Sequence, residues 1–146
     1  LLGVRGFPGN TISHANSMWV PSHDKRTFVE GEVDMVAGAG YNPARFRGGR
    51  CSDKLDLRMI VSNLAVMDFG GKNRAIRVVS LHPGITFGQV QDNTGFQLEG
   101  RGSCKKTPEP TVDQLRLIRE VIDPNNLRAS TFKGNPHGDA RRRQNG

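Results

Sequence analysis

Short apolar runs separated by turn-forming residues dominate the middle of the chain. EVDMVA at 32–37 alternates apolar and polar residues, which predicts a half-buried strand. The run LDLRMIVSNLAVMDF at 55–69 predicts two further strands, in MIV and in LAVMDF, and GGKN at 70–73 predicts a turn. The remaining predicted strands are AIRVVSL at 75–81, ITFGQV at 85–90 and, as a last candidate, TGFQLEG at 94–100.

One clear helical pattern occurs, towards the end of the chain. Thr111 can cap this helix, and Gln114, three residues later, completes a capping box. Asp123-Pro124 ends the helix, because the residue before a proline avoids helical geometry. The apolar residues that fall on one face of this helix are Leu115, Ile118, Val121 and Ile122.

These elements predict an α+β fold, rich in strands and loops, with a helix near the C-terminus. Residues 1–31, rich in Gly, Pro, Ser and Asn, are predicted to form an irregular N-terminal segment. Residues 32–135 then form a single α+β domain, and residues 136–146 form a basic tail. No run approaches the roughly 20 apolar residues of a membrane helix, so we expect a soluble protein. The sequence does not settle its compartment, whether cytoplasm or periplasm.

The chain is basic, with 21 Lys and Arg residues against 14 acidic residues and a net charge of +7. This balance favours anionic partners such as phosphate groups, nucleic acid or an acidic protein surface, and it is equally compatible with plain solubility. Aromatic residues are sparse and no RNA-binding motif accompanies the charge. An interpretation as a nucleic-acid-binding protein therefore depends on charge alone.

The residue types that most often carry chemistry are scattered along the chain. The histidines show no metal-ligand spacing, and each is expected to be a surface or core residue; they are His14, His23, His82 and His137. No Gly-x-Ser-x-Gly elbow or Walker loop is present. Cys51 and Cys104 can pair, but two thiols make no disulfide framework.

A glycine-rich basic loop, VAGAGYNPARFRGG at 36–49, overlaps the end of the first predicted strand. A strand that runs into Gly-x-Gly lets backbone N–H groups cradle a phosphate, and nearby arginines can add charge-assisted hydrogen bonds. Gly38 and Gly40 fit a dinucleotide fingerprint, but Pro43 stands where its third glycine should be. The motif by itself is therefore typical of an ordinary loop.

Several stretches are similar to a known family of flavoproteins. HPGITFGQVQD at 82–92 resembles the Pro-Gly-Val-Thr-Phe-Gly-Gln segment of FAD-linked oxidases of the vanillyl-alcohol oxidase and p-cresol methylhydroxylase group. The preceding run at 54–79 and IREVIDPNNLRASTFKG at 118–134 resemble further stretches of that family, as do NSMWVPS and RGSCKK. The resemblance covers the chain in pieces.

This resemblance implies an FAD-binding-type domain and gives roles to three segments. Backbone N–H groups of the glycine loop would hold the FAD pyrophosphate, the Pro-Gly corner would lie against the cofactor, and the Asp-Pro-Asn-Asn segment would fix a closing loop. The implied cofactor-binding residues are Gly38, Gly40, Asn42, Pro83, Gly84, Ile85, Thr86, Asn125 and Asn126. The resemblance assigns no catalytic base and no metal site.

The resulting prediction is an FAD-dependent oxidoreductase, or a fragment of one, that oxidises a phenolic or related alcohol substrate by hydride transfer to flavin. Its expected partners are a small phenolic molecule and an electron-acceptor protein or other subunit, with no membrane. Two alternatives stay open. A basic, non-catalytic RNA-binding or ribonucleoprotein component would bind nucleic acid with salt-sensitive affinity. A secreted or structural interaction domain would be held by a Cys51–Cys104 disulfide.

Overall fold

The computed structural model describes residues 14–31, 33, 36, 38, 40–46, 48 and 55–130. The chain divides into two compact units, Leu1–Thr107 and Pro108–Gly146. The first unit contains a sheet, and the second contains the helix expected near the C-terminus. The division into segments 1–31, 32–135 and 136–146 stays a prediction, because the basic tail lies outside the described residues.

A mixed sheet of five short strands, in the order β1-β2-β3-β4-β5, organises the first unit. The strands are β1 Ala15–Val20, β2 Asp56–Ser62, β3 Ala65–Asp68, β4 Arg77–Leu81 and β5 Lys105–Lys106. β1 is parallel to β2 and β5 is parallel to β4, whereas β3 is antiparallel to both of its neighbours. Of these strands, β1, β2, β4 and β5 therefore run in one direction and β3 runs against them.

The central strands follow the apolar pattern of the sequence. The two-strand prediction for 55–69 and the strand prediction for 75–81 are confirmed by β2, β3 and β4. β1, in contrast, lies inside the segment 1–31 that the composition predicts to be irregular. Met18 and Val20 pack against the core while their neighbours are exposed, but the polar residues at the start of β1 hide this alternation in the sequence.

Two other strand predictions have different outcomes. The prediction of a strand at 94–100 is wrong, because that segment contributes an isolated bridge between Arg77 and Glu99 instead. The strand predicted at 32–37 lies mostly outside the described residues. Val33 and Val36, the two positions of that range that are described, belong to no strand.

Residues 85–90, predicted as a strand, instead lead into helix α1, Phe87–Asp92. Thr86 is the N-cap of α1. Its hydroxyl accepts from the Gln89 backbone N–H at 3.3 Å, and the Gln89 side-chain oxygen accepts from the Thr86 N–H at 2.8 Å. This reciprocal capping box satisfies N–H groups that a helix start otherwise leaves unpaired. Phe87 and Val90, three residues apart, then share one buried helix face.

The core lies between one face of the sheet and α1. Ile60, Met67 and Val78 are cross-strand neighbours on that face, through the pairs Ile60–Met67 and Met67–Val78. Val90 of α1 and Phe28, from the loop after β1, pack in the same cluster. Full burial of side chains of this size stabilises the fold by roughly 1.5–3 kcal/mol each, so this cluster fixes how α1 sits on the sheet.

The helix in the second unit begins where the capping pattern predicts. α2, Val112–Arg116, has Thr111 as its N-cap in a capping box with Gln114. It continues as a π-helix over Leu117–Ile122 and ends at Asp123, before the proline, as the sequence predicts. The prediction of a C-terminal helix is therefore confirmed, although its last turns are wider than an α-helix.

The apolar face of this helix is more exposed than its pattern suggests. The exposed fraction is 69% at Val121 and 68% at Ile122, and Ile118 is 39% exposed. The amphipathic pattern thus locates the helix correctly, although these three apolar side chains are exposed. Among the residues that the structure describes, no helix is long and apolar enough to cross a membrane.

Candidate functional site at the carboxyl ends of the strands

Strand direction brings several strand ends to one edge of the sheet. Because β1, β2, β4 and β5 run in the same direction, their last residues lie at the same edge; these are Val20, Ser62, Leu81 and Lys106. We name this the carboxyl edge and the opposite one the amino edge. In open sheets with parallel strands, ligands bind in the crevice outside the carboxyl ends. The carboxyl edge is therefore the candidate site.

A hydrogen-bonded cluster of hydroxyl and imidazole groups occupies the carboxyl edge. We call it the carboxyl-edge network; its members are His23, Ser62, His82, Thr94 and Thr107. His23 is 5% exposed, and its Nδ1 and Nε2 each lie 2.9 Å from a hydroxyl oxygen, of Ser62 and Thr94 respectively. The network thereby ties the segment after β1 to the end of β2 and to the segment just after α1.

Neighbouring acceptors fix the direction of these hydrogen bonds. The Thr94 hydroxyl donates to the Val90 carbonyl at 2.8 Å, so its oxygen accepts from Nε2–H of His23. Nδ1 of the neutral ring then accepts from the Ser62 hydroxyl. Ser62 Oγ itself accepts from the backbone N–H groups two and three residues later, at 3.2 and 3.1 Å. Every member of this part of the network is consequently satisfied.

The surroundings of His23 favour its neutral form. Burial lowers the pKa of the His23 imidazole from its ordinary value, and the negative charge of Asp24 opposes that shift only in part. The distance between Ser62 and His23 suits a nucleophile and its base. Ser62 is only 2% exposed, however, and its oxygen already accepts from two N–H groups. The pair therefore holds the turn between β2 and β3 and is not arranged to attack a substrate.

His82 extends the network on the β4 side. Its Nε2 lies 2.9 Å from the Ser62 carbonyl oxygen, which can only accept, so Nε2 carries the hydrogen. Its Nδ1 lies 3.1 Å from Thr107 Oγ1, which lies 2.7 Å from Ser80 Oγ. The hydroxyls of Ser80 and Thr107 can thus donate in turn towards the His82 ring. Both histidines meet at Ser62, one at its side chain and the other at its carbonyl.

The Pro-Gly corner also lies at the carboxyl edge, directly after β4. The Ile85 N–H donates to the His82 carbonyl at 3.0 Å and closes a turn. Gly84 adopts a φ of 80°, and an added Cβ would have no atom within 4 Å. Pro83, Gly84 and Ile85 therefore form a strand-to-helix corner, and Thr86 completes it as the cap of α1.

The glycine loop lies at the other end of the sheet. The Tyr41 hydroxyl accepts from the Leu57 N–H at 2.9 Å, near the start of β2. The Tyr41 ring packs edge-to-face on Phe69 at 5.3 Å between centroids, and the Arg74 guanidinium lies 5.0 Å from its centroid. These contacts hold Tyr41, and with it the adjoining Gly40 and Asn42, at the amino edge. The Asn42 side chain accepts from the N–H two residues later at 3.0 Å.

The structure does not bring the two predicted cofactor segments together. β4 separates the edges by 5 residues, which at roughly 3.3 Å per residue amounts to roughly 16 Å. The structure places Gly40 and Asn42 at the amino edge, beside Tyr41, and Pro83, Gly84, Ile85 and Thr86 at the carboxyl edge. The place of Gly38 stays a prediction. The flavin resemblance assigned the pyrophosphate to the glycine loop alone, so this distance leaves the residue assignments a prediction.

Asn125 and Asn126 belong to the second unit, in a compact loop after the π-helix. Asn126 has a φ of 55°, and its N–H donates to the Asp123 carbonyl at 3.1 Å. The Asp123 carboxylate accepts from the Leu127 N–H at 2.7 Å and pairs with the Arg128 guanidinium at 2.7 Å. Hydrogen bonding from the Arg128 backbone N–H, with that of Leu127 and the guanidinium, lowers the pKa of Asp123. This loop is fixed by its own contacts.

The chemistry of metals and thiols adds little at this edge. Within the described part of the chain, no group of three His, Cys, Asp or Glu residues could hold a metal ion. Cys104 is a free, half-buried thiol that packs against the core. Cys51, its predicted disulfide partner, lies outside the described residues.

The spacing of the histidines along the chain does not reveal the carboxyl-edge network, because its members meet only in the folded structure. A positional signal was available for two members, since Ser62 ends one predicted strand and His82 directly follows another. Parallel strands bring such residues to one edge. No comparable signal exists for His23 and Thr94, because β1 and α1 were themselves not recognised as a strand and a helix.

Comparison with known proteins points to a different family from the flavin oxidases. No protein-family model matches the chain. The chain is 50% identical over 135 residues to the "Cholesterol ring-cleaving hydrolase IpdB subunit" of Mycobacterium tuberculosis H37Rv, and 49% identical over the same length to that of Rhodococcus jostii RHA1. Each match covers 88% of this chain and 50% of the relative. The chain thus spans about half the length of these curated relatives.

More distant similarities extend to coenzyme A-transferases. The chain is 28% identical over 126 residues to a glutaconate CoA-transferase subunit of Acidaminococcus fermentans. The crystal structure of Rhodococcus jostii RHA1 IpdAB matches 90% of this chain and 52% of its own, with a TM-score of 0.80 and 46% identity. Glutaconate CoA-transferase matches 87% of this chain and 48% of its own, with a TM-score of 0.74 and 24% identity. The fold is therefore that of the coenzyme A-transferases over the matched part.

These findings correct the prediction of an FAD-linked oxidase. The chain resembles coenzyme A-transferase-type subunits over most of its length, whereas the flavin-oxidase resemblance rested on short, separate pieces. The predictions of a flavoprotein, of an FAD cofactor and of phenol oxidation are wrong, and so is the alternative of RNA binding. In this chain the "PGITFGQ" segment folds as a turn followed by a capped helix.

The coarse parts of the sequence-based predictions are confirmed. The fold is a mixed sheet of five strands with few helices, without support for an FAD-binding type. The expectation of another subunit as partner agrees with the relative IpdB, which is itself named a subunit and whose crystal structure is that of IpdAB. The expected phenolic substrate and nucleic acid find no support among them.

Proposed function

We propose that this chain forms part of an IpdB-type subunit of a heteromeric hydrolase that opens a ring of a sterol-derived substrate. The observation that carries the proposal is its 50% identity over 135 residues to the IpdB subunit of a cholesterol ring-cleaving hydrolase. Agreement in fold supports it, since the matched part superposes on IpdAB with a TM-score of 0.80. The more distant transferases agree less well in sequence, at 28% identity.

We further propose that the substrate is bound as a coenzyme A thioester. The same part of the chain is similar to the ring-cleaving hydrolases and to two coenzyme A-transferase subunits, which supports a coenzyme A ligand common to both groups. Coenzyme A carries several phosphate charges, and a net charge of +7 favours a polyanionic ligand.

The glycine loop is our candidate for an anionic group of that thioester. Backbone N–H groups near Gly38, Gly40 and Asn42 are proposed to hold it, as the Gly-x-Gly pattern suggests. Gly40 has a φ of 61° with no atom within 4 Å of an added Cβ, so a ligand has room to approach its backbone. The Arg74 guanidinium, held over the Tyr41 ring, lies beside the loop and adds positive charge.

A segment exchange tests the proposed function of this chain specifically. The matched half of Rhodococcus jostii IpdB is replaced by this chain, and the chimera is produced together with the rest of IpdAB. We expect a complex that opens the ring of the thioester that native IpdAB cleaves, with kcat/KM within about tenfold of native, about 1.4 kcal/mol in transition-state binding. Product formation is followed by mass spectrometry.

The control exchange uses the matched segment of the Acidaminococcus fermentans glutaconate CoA-transferase, at 28% identity to this chain. That chimera should assemble poorly or lack ring-opening activity. A complex with this chain that assembles and folds, yet opens no ring, would contradict the proposed hydrolase function. A chimera that folds but never associates with its partner would contradict the proposed role in a heteromeric complex.

A further inference from the structure

The segment Ser22–Glu30, which we call the latch, crosses the carboxyl edge and is held there by two aromatic residues. His23 and Phe28 stack on each other at 4.1 Å between ring centroids, with 23° between their planes. Phe28 is 6% exposed within the core, and its carbonyl accepts from the Gly95 N–H at 2.7 Å. The His23 backbone N–H donates to Asn63 Oδ1 at 2.8 Å. The latch therefore depends on the docking of these two rings.

Protonation of His23 would place a hydrogen where no acceptor remains. The neutral ring receives the Ser62 hydroxyl at Nδ1 and donates from Nε2 to Thr94. A protonated ring would instead donate from Nδ1 to Ser62 Oγ, which already accepts from two backbone N–H groups. Even with its own hydrogen turned to the Ala65 carbonyl at 3.3 Å, that oxygen would face three donors with two lone pairs. The charged ring would thus overload Ser62 inside a buried cluster.

The negative charge of Asp24 compensates a protonated His23 only in part. Asp24 is the acidic residue beside it, but the Asp24 carboxylate is exposed and already accepts from Arg26 N–H, Thr27 N–H and the Ser22 hydroxyl. Other titratable or charged residues of the elements around the network are Lys25, Arg26 and Glu30 on the latch, His82 after β4, Asp92 on α1, and Lys105 and Lys106 on β5. The charged residues of β2, β3 and β4 lie towards the amino edge; they are Asp56, Arg58, Asp68 and Arg77.

From this arrangement we propose that the latch is a proton-operated cover of the carboxyl edge, closed when His23 is neutral and released when His23 is protonated. Release frees the buried hydroxyls of Ser62 and Thr94 and uncovers the edge at which sheets of this type bind ligands. The strands stay paired, because the ladders of β2, β3 and β4 involve none of the latch residues. The proposal concerns a conformational change and does not depend on the reaction that the protein catalyses.

The direction of the pH dependence follows from the burial of His23. Burial lowers the pKa of His23 in the closed state below its ordinary value of 6.5, so the closed state binds fewer protons than the open state. The free energy that favours the closed latch is therefore greatest at pH values above 6.5 and decreases as the pH falls below 6.5. A single proton changes the ratio of open to closed molecules by up to about tenfold per pH unit within this window.

Hydrogen exchange measured between pH 7.5 and pH 5 tests the latch in the purified protein. After correction for intrinsic rates, we expect the amides of His23, Phe28 and Gly95 to exchange up to about tenfold faster per pH unit below the ordinary histidine pKa. The amides of β2 and β3 should stay protected. In His23→Gln the pH step should vanish, whereas His14→Gln, which removes a histidine outside the network, should keep it.

Several results would overturn the proposal. These are a flat profile in the native protein, a step that persists in His23→Gln, or a simultaneous loss of protection in β2 and β3, which would mean global unfolding. If His23→Gln does not fold, the proposal can be tested on the native protein by following the titration of its histidine rings with nuclear magnetic resonance. The midpoint at which the His23 ring titrates must then coincide with the midpoint of the amide step, and a separation of the two midpoints rejects the latch.

Discussion

Ser62 is the residue on which the carboxyl edge depends. Its hydroxyl donates to His23, accepts two backbone N–H groups of the β2–β3 turn, and its carbonyl accepts from His82. Only 2% of the Ser62 surface is exposed. Water therefore cannot replace these hydrogen-bond partners unless the structure opens locally. Leaving a buried polar group without a hydrogen-bond partner lowers the free energy of unfolding by more than a typical hydrogen bond contributes to it.

Substitution of Ser62 by Ala should therefore be costly although the change in volume is small. We expect Ser62→Ala to lower the free energy of unfolding by about 1–3 kcal/mol, because Nδ1 of His23 and the turn N–H groups lose their partner. Urea denaturation measures the effect. The matched control is Ser103→Ala, since Ser103 is exposed and makes a long bond of 3.4 Å. Equal stability of the two variants would reject this role of Ser62.

The chemistry of single residues was the least predictable level. The sequence shows that Ser62 and His82 stand at strand ends, but their meeting requires the strand order β2-β3-β4 and the direction of each strand. His23 reaches the network through a loop after β1, 39 residues before Ser62. Such contacts depend on tertiary structure, so neither periodicity nor spacing could have predicted them.

At the scale of elements, the same local signal was recognised once and missed once. Thr111 with Gln114, and Thr86 with Gln89, both form reciprocal capping boxes. The second was missed because ITFGQV also alternates apolar and polar residues, and a short alternating run predicts a strand. The capping hydrogen bonds and the turn at Gly84 favour the helix over a strand at this segment. The confirmed strands β2, β3 and β4 contain longer apolar runs without such a competing cap.

Two glycines flanking the start of α1 provide a test of this helix with opposite expected signs. Gly84 has a φ of 80°, in the left-handed region that alanine adopts only with strain. Gly84→Ala should therefore lower the free energy of unfolding by roughly 1–2 kcal/mol. Gly88 lies inside α1, where an added Cβ meets its nearest atom, Thr86 Oγ1, at 3.9 Å. Gly88→Ala should therefore stabilise the protein by roughly 0.5–1 kcal/mol.

Urea denaturation of the two alanine variants, compared with the native protein, gives both values. The two substitutions add the same atoms four positions apart, so each serves as the control for the other. A change of the same sign in both variants would mean that residues 85–90 do not form the capped helix described above.

At the scale of the whole molecule, fold class was predictable while family was not. The α+β composition and the C-terminal helix followed from patterns, and the five-stranded mixed sheet agrees with them. Family depends on similarity along the whole chain, and short pieces that resembled flavin oxidases pointed the wrong way. The basic balance of the chain was informative in a general sense, since a net charge of +7 suits the polyanionic thioester that we propose.

Water labelled with ¹⁸O distinguishes ring-opening hydrolysis from coenzyme A transfer. The complex that contains this chain is incubated in that water with a sterol-derived coenzyme A thioester and acetate. The masses of the products and their ¹⁸O content are then measured by mass spectrometry. A ring-opening hydrolase adds one labelled water across the cleaved bond and leaves the thioester intact. We expect that product, with the label in its new carboxylate. Formation of acetyl-coenzyme A with the ring unopened would identify a transferase and contradict the account.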